Sequence, residues 1–334
     1  MHPELVPFDN AMLPDAGRLL ALRHAHDRAA LPTLPSRFEE AAVAAKAVRA
    51  ALDRPMAQGF AAVRGDRVVG YCIGDVALAE IWGRSGWVRP PGCAVGPDED
   101  AELVRDLYAA LGQRWIDLGC FSHYAVVPTS DPALLQMWYS LSFGIQQVYG
   151  LRALDDLGGP GLPLPPGVEI RVAGPDDRTV LADFSDIIWR HQVQAPVWGM
   201  MLPETVEDQR EGWAELVDEP GWTVWLAFYE GQPVGIQGYH PEEESDEALI
   251  VPEACASLSV AGTREGARGR GVGQAMTRRG LKGVRDAGFR VCLTDWRSTN
   301  LLSSRFWPRQ GFAPVAYRLN RIIDSRIAWA RGND

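Results

Sequence analysis

The sequence lacks a run of 18 apolar residues, an excess of positive charge and any C-x-x-C spacing. Without the long apolar run there is no candidate for a membrane-spanning helix. The opening M-H-P-E-L-V-P-F-D has neither a basic n-region nor an apolar h-region, so the expectation is a soluble, cytoplasmic protein without membrane partners. The net charge of −10 argues against a general nucleic-acid binder, which needs a basic face. The five cysteines, at 72, 93, 120, 255 and 292, are odd in number and scattered. That spacing suits neither a disulfide framework nor a zinc site, and no metal is expected. His24-x-His26 reads as surface. The phosphate motif G-x-x-x-x-G-K-[ST] is missing. The dinucleotide fingerprint fails too, because Gln274 stands where its third glycine belongs.

What is present begins with size. A chain of 334 residues, 46% of them apolar, suits two globular domains. The densest chemistry lies at 263–275, T-R-E-G-A-R-G-R-G-V-G-Q-A. The preceding 254–260 reads as a strand and 272–287 as a helix, so the order is strand, glycine-rich turn, helix N-terminus. Glycines 269, 271 and 273 let the backbone approach a ligand closely. The helix start adds unpaired N–H groups and partial positive charge, and Arg268 and Arg270 add full charges. The combination suits a pyrophosphate.

A second motif follows the first. Residues 289–294 read as a strand, and Asn300-Leu-Leu-Ser303-Ser-Arg-Phe306-Trp307-Pro-Arg-Gln-Gly311-Phe312 as a short helix with Asn300 at its N-cap. The pair R-x-x-G-x-G (Arg268, Gly271, Gly273) and Asn-led helix ending in aromatic-x-x-x-Gly-Phe resembles the GNAT superfamily of N-acetyltransferases over residues 168–323. The resemblance implies an α/β (α+β) fold with a mixed, mostly antiparallel sheet whose fourth and fifth strands splay apart.

Taken in order, the first half reads strand, two helices, a hairpin turning at Gly65-Asp66, a helix over 103–118, a strand, a short helix and a last strand. The Pro/Gly-rich 155–167 reads as a semi-rigid linker. The second half repeats the plan, with helices expected over 176–192 and 203–218 and a hairpin over 222–239. A shift of 169 places Asp131 on Asn300, Leu134 on Ser303, Trp138 on Trp307 and Phe143 on Phe312. The expected organisation is therefore a GNAT-like domain over 1–154, the linker, and a GNAT domain over 168–334 that carries the coenzyme site. The first copy has Asp98, Glu99, Asp100 and Glu102 where the second has its arginines and glycines. Those acids would repel a pyrophosphate. The tandem arrangement with a degenerate first copy resembles that of mycothiol synthase.

The resemblance implies acetyl-coenzyme A as co-substrate and direct attack by an amine in a ternary complex. It assigns coenzyme contacts to Ala261, Thr263, Arg268, Gly269, Arg270, Gly271, Val272, Gly273, Gln274, Asn300, Ser303 and Trp307, with an oxyanion-stabilising backbone N–H in 261–263. An alkylammonium must lose a proton before it attacks. Glu253, sharing a strand face with Cys255, Ser257 and Ser259 by period-two alternation, and Asp295 are the candidate bases. His240 is a third, and a water chain a fourth. Trp307 stands where many members carry a tyrosine acid, and indole has no useful proton to give. Tyr317 is the candidate substitute, or the thiolate leaves unassisted. The apolar 194–203 loop suggests a partly hydrophobic small-molecule amine as acceptor, and 242–247 is an acidic run. An amino-sugar–cysteine conjugate is a narrower acceptor option. A coenzyme-binding sensor without catalysis is the rival reading.

Overall fold

The computed structural model describes residues 2–79, 82–157, 164–243, 245 and 248–332. The chain forms β1 (Glu4–Pro7), α1 (Leu13–Ala30), α2 (Ala41–Leu52), β2 (Gln58–Arg64), β3 (Arg67–Ala79), β4 (Gly83–Val88), β5 (Cys93–Val95), α3 (Leu103–Asp117), β6 (Ser122–Pro128), α4 (Pro132–Ser140) and β7 (Gly144–Ala153). It continues with β8 (Val168–Val172), α5 (Arg178–Phe184), α6 (Trp189–Gln192), α7 (Val206–Glu215), β9 (Thr223–Tyr229), β10 (Gln232–Pro241) and β11 (Cys255–Thr263). Then follow α8 (Val272–Asp286), β12 (Val291–Arg297), α9 (Ser303–Arg309), β13 (Ala313–Ile322) and α10 (Ile327–Arg331).

Two compact units result. One comprises residues 1–148, 244–252 and 314–334, the other 149–243 and 253–313. The first has strand order β1-β2-β3-β4-β6-β13-β7, with β5 pairing β3. The second has order β7-β12-β11-β10-β9-β8, entered by the later residues of β7. Each unit is thus completed by the last strand of the other copy. β13, read from sequence as part of the 168–334 domain, pairs antiparallel with β6, Tyr317 opposite Val127. Of the expected linker, residues 158–163 lie outside the described residues. Residues 244, 246 and 247 of the acidic run do too.

The apolar faces dictate the layering. In the second unit Leu181, Phe184 and Trp213 from α5 and α7 pack with Val224, Leu226 and Ile236 on one face of the sheet. Val272 and Met276 from α8 pack with Val168, Ile170 and Ala227 on the other. Gly280 lets α8 lie against Tyr239, since a Cβ there would sit 2.3 Å from that ring. The first unit builds one core on α3 and α4, around Leu107, Leu111, Trp115 and Trp138.

Three local expectations change. The single helix over 176–192 breaks into α5 and α6, and Ile187 between them seats on Gly262, where a Cβ would come within 2.8 Å. Residues 83–95, rich in glycine and proline, form β4 and β5 around a 3-10 turn at Pro90–Gly92. Gly86 there admits the Trp115 ring, 2.3 Å from where a Cβ would be. His24 is buried, not surface, and its Nε2 bonds the Pro35 carbonyl at 2.7 Å.

Candidate functional site

The turn before α8 has the conformation its glycines allow. Gly269 (φ +77) and Gly271 (φ +80) are both left-handed, a region costly for other residues. Gly271 is the N-cap of α8 and supplies no side-chain cap. The first bond of the helix runs from Ala275 N–H to the Gly271 carbonyl at 3.0 Å. Among the described residues, none accepts from the N–H groups of Val272, Gly273 and Gln274. Arg268 is exposed, its Nε donating to the Thr263 carbonyl at 3.1 Å. Arg270 reaches Tyr229, its Nη1 3.2 Å from the hydroxyl and its guanidinium 4.9 Å from the ring centre. Beneath the helix start Thr277 donates to the Gly273 carbonyl and accepts from Gln237, which in turn accepts from Tyr239.

The strand leading into the turn parts from its neighbour. β11 and β12 pair in parallel from Cys255–Val291 to Leu258–Thr294. The Thr294 hydroxyl closes the ladder on the Leu258 carbonyl at 2.9 Å. β11 runs on to Thr263 and β12 to Arg297 without further pairing between them. Ala261 and Thr263 lie on this parted stretch. Where it begins, β11 carries a bulge: Gly238 pairs with Val260 and Tyr239 with Leu258, leaving Ser259 as the extra residue.

Asn300 acts as the cap its sequence position suggested, although the helix itself begins at Ser303. Its Oδ1 accepts from the N–H groups of Leu302 (3.1 Å) and Ser303 (3.3 Å) and from His191 Nε2 (3.1 Å). His191, on α6, is a neighbour the sequence reading missed; nothing in its local pattern points to a residue 109 positions away. Among the described residues, none is a hydrogen-bond partner of the buried Ser303 hydroxyl. Phe306 comes 3.6 Å from where a Cβ on Gly273 would lie, so α9 abuts the start of α8. Trp307 is buried against Phe306 and Phe312, with ring centres 4.9 and 5.5 Å away.

The candidate bases and acid are scattered. Glu253 is exposed in a turn ahead of β11, followed by Ala254 at φ +51. The strand alternation expected to align it with Ser257 therefore does not reach it. Asp295 is exposed on β12, just beyond the last pair with β11. Tyr317 lies in the first unit, partly buried against that unit's core. Cys255 and Cys292 are buried thiols; desolvation pushes Cys255 up to about 12 and Cys292 upward as well, so neither supplies a thiolate. On the α5–α7 side a cavity of about 400 Å³ is lined by Asp183, Asp186, Glu207, Arg190, Arg210 and Arg264 among others. Trp198 and Met200 in the 194–203 loop are exposed.

The acetyltransferase (GNAT) family profile matches residues 187–312, which span α6 to α9 and hold both the glycine turn and the Asn300 helix. Residues 187–312 thus resemble the GNAT acetyltransferase family. The chain is similar to a GCN5-related N-acetyltransferase from Sphaerobacter thermophilus (17% identity, 96% of this chain and 98% of that chain covered, TM-score 0.58). It is likewise similar to a tandem GNAT protein from the clavulanic acid biosynthesis pathway (17% identity, 96% and 98% covered, TM-score 0.52). A glucosamine N-acetyltransferase region of a fungal multi-domain β-N-acetylglucosaminidase shares the fold at 14% identity, with 95% of this chain and 38% of that chain covered and a TM-score of 0.55. No curated protein matches the chain. The matched family generally uses acetyl-coenzyme A. Among the described residues no helix is long and apolar enough to cross a membrane.

Proposed function

We propose that the chain transfers an acetyl group from acetyl-coenzyme A to a primary amine of a small molecule, by direct attack, at one site in the second unit. The observation that carries this reading is the open start of α8. Three backbone N–H groups lack an acceptor there, beside Arg268 and Arg270, at the end of a strand that has parted from its neighbour. Such an end holds a pyrophosphate through N–H donors and helix dipole together. Gly269 to Gln274 would hold the phosphates. Ala261 and Thr263 on the parted stretch of β11 would pair with the amide groups of the pantetheine arm as an added strand does. The buried Ser303 hydroxyl and the Asn300 turn would border the arm.

Trp307 is buried and has no ionisable proton, and Tyr317 belongs to the other unit's core. The thiolate therefore leaves without a side-chain acid, which a thiol pKa near 8.5 permits. The exposed Trp198 and Met200 fit an acceptor with an apolar part.

Calorimetric titration with acetyl-coenzyme A tests the site. Wild type should bind one molecule per chain. Gly273→Glu should abolish binding: its Cβ meets only ordinary contacts of 3.5 Å or more and its φ is not left-handed, so the loss reads charge rather than misfolding. Binding that survives this change, or two sites per chain, would refute the assignment. A panel of primary amines, including 2-phenylethylamine and glucosamine, then tests transfer; binding without turnover of any amine would favour a coenzyme sensor.

A further inference from the structure

The bulge that ends the β11–β12 ladder holds a set of polar groups that the coenzyme does not need. His240 on β10 has Nδ1 2.9 Å from the Pro241 carbonyl and Nε2 2.7 Å from the Ser259 hydroxyl. A carbonyl only accepts, so Nδ1 carries the proton and the neutral ring presents Nε2 as acceptor. Ser259 then donates to Nε2. The Ser257 hydroxyl, 3.1 Å from that of Ser259, donates to Ser259 in turn. The order Ser257, Ser259, His240, Pro241 has one direction. It is the arrangement of a hydroxyl, a base and a group that orients the base.

The surroundings hold the ring in place. Trp222 stacks on His240 with ring centres 4.5 Å apart and planes 29° from parallel. Gly238 makes room for that indole, since a Cβ there would lie 2.9 Å from it. Trp222 belongs to the layer of α5 and α7, the side of the sheet opposite α8. The groups facing the ring are thus Trp222, Ser257, Ser259 and the Pro241 carbonyl. Among the described residues no ion pair or charged hydrogen-bond partner meets His240. Glu242, two residues further along the chain, acts electrostatically on the buried Cys255 and Cys292. The bulge matters because it places Ser259 at the first position past the last β11–β12 pair, where the slot opens.

We propose that Ser259 and His240 form the proton exit for the acceptor amine of the transfer reaction, with Ser259 touching the amine and His240 acting through it. The inference rests on the reading of the site given above. As the amine nitrogen bonds to the thioester carbon its proton becomes acidic and passes to the Ser259 oxygen. The Ser259 proton moves at the same time to His240 Nε2. The carbon–sulfur bond breaks, the electron pair leaves with sulfur, and the imidazolium releases its proton to water. An ammonium acceptor sheds its other proton to solvent beforehand. The balance is one acetyl group moved, one thiolate formed and one proton delivered to a half-exposed histidine.

The test is the pH profile of kcat/KM with the best amine of the panel, in wild type, His240→Gln, Ser259→Ala and Ser259→Thr, with acetyl-coenzyme A affinity measured on each. Wild type should lose activity as pH falls. His240→Gln and Ser259→Ala should each lower kcat/KM by about 100-fold, the lower end of what a positioned acid–base group contributes, and abolish that acid limb. Affinity for acetyl-coenzyme A should stay within about twofold. Ser259→Thr, which keeps the hydroxyl, should restore most of the activity. A merely structural role would not remove the acid limb while sparing coenzyme affinity. An unchanged limb in His240→Gln, with coenzyme binding intact, overturns this inference alone. So does an intact-mass gain of one acetyl group on Ser259, which would mean a covalent route. A wild type that fails to bind acetyl-coenzyme A, or that binds it and acetylates nothing, overturns the underlying functional reading instead.

Discussion

Helix α3 in the first unit and helix α8 in the second occupy the same place in the two copies, each following a hairpin strand and preceding a buried strand. Their first turns differ. At α3 the Asp100 side chain accepts from Glu102 N–H at 2.9 Å. The N–H groups of Leu103, Val104 and Arg105 bond carbonyls three residues back. Glu99 pairs with Arg64 at 2.7 Å. At α8, among the described residues, there are no such closures, and the three N–H groups that follow a left-handed glycine stay open beside Arg268 and Arg270. A helix start needs its donors satisfied. One copy does this with its own acids and tight turns, the other leaves them open. The difference teaches that the same place in the fold tolerates opposite charge, because acids satisfy and stabilise a helix N-terminus without any ligand.

The sharpest way to break the comparison is to exchange the charges. Arg268→Glu with Arg270→Glu should weaken acetyl-coenzyme A binding by at least about 100-fold, since two charge-assisted contacts become repulsions. Calorimetry reads this directly. The converse change, Asp100→Arg with Glu102→Arg, should create no second site, because the backbone carbonyls still occupy the α3 donors.

Acid should then separate the units by stability. His123 is buried in the first unit between the Tyr108 hydroxyl (2.7 Å) and the Cys120 carbonyl (3.0 Å), and desolvation pulls it down to about 4. His24 shifts the same way for the same reason. An unfolded chain takes up these protons near 6.5. Stability is therefore whole above that pH and declines as pH falls towards 4. The loss from His123 is at most about 3 kcal/mol. Hydrogen exchange should show β6 and α3 losing protection in this window, and His123→Gln should flatten the decline.

Packing glycines offer a matched pair. Gly86→Ala, against Trp115, and Gly280→Ala, against Tyr239, each force a Cβ to 2.3 Å from a buried ring. Each should cost about 1–3 kcal/mol, and denaturant titration followed by exchange should find the loss in the unit that carries the change. The smallest effect belongs to Asp177 at the start of the second unit. It bonds Arg171 at 2.7 Å through both oxygens, and the Gly174 N–H. These contacts hold its carboxyl below the usual range. Arg171 is 42% exposed, so screening limits the contribution. Asp177→Asn should cost about 1 kcal/mol at pH 7 and nothing once pH falls below the folded-state titration of Asp177.

Much of this was legible in the chain itself. The offset of 169 read from Asp131 and Asn300 carries β6 onto β12 and β7 onto β13, end to end. Both residues do the same work, Asp131 bonding Leu134 N–H at 3.0 Å as Asn300 bonds Ser303 N–H. The glycines at 269 and 271 were marked as positions where the backbone alone matters, and both take left-handed angles. The failures are equally specific. Strict period-two counting put Glu253 beside Ser257, but a turn intervenes at one end and a bulge at the other. Residues 83–95 gave no strand pattern because their glycines and prolines serve a neighbouring tryptophan and a tight turn.

The sequence by itself determined the repeat, the glycine turn, the capped helix after it and the charge contrast between the copies. All of these depend on contiguous residues and on backbone chemistry that a few side chains dictate. Only the tertiary structure decided that Tyr317 belongs to the first unit, that His191 meets Asn300, and that one extra residue in β11 brings Ser259 onto His240. Those outcomes turn on which strand pairs with which and in what register. The energies that settle pairing come from surfaces far apart in the chain, so local pattern does not contain them.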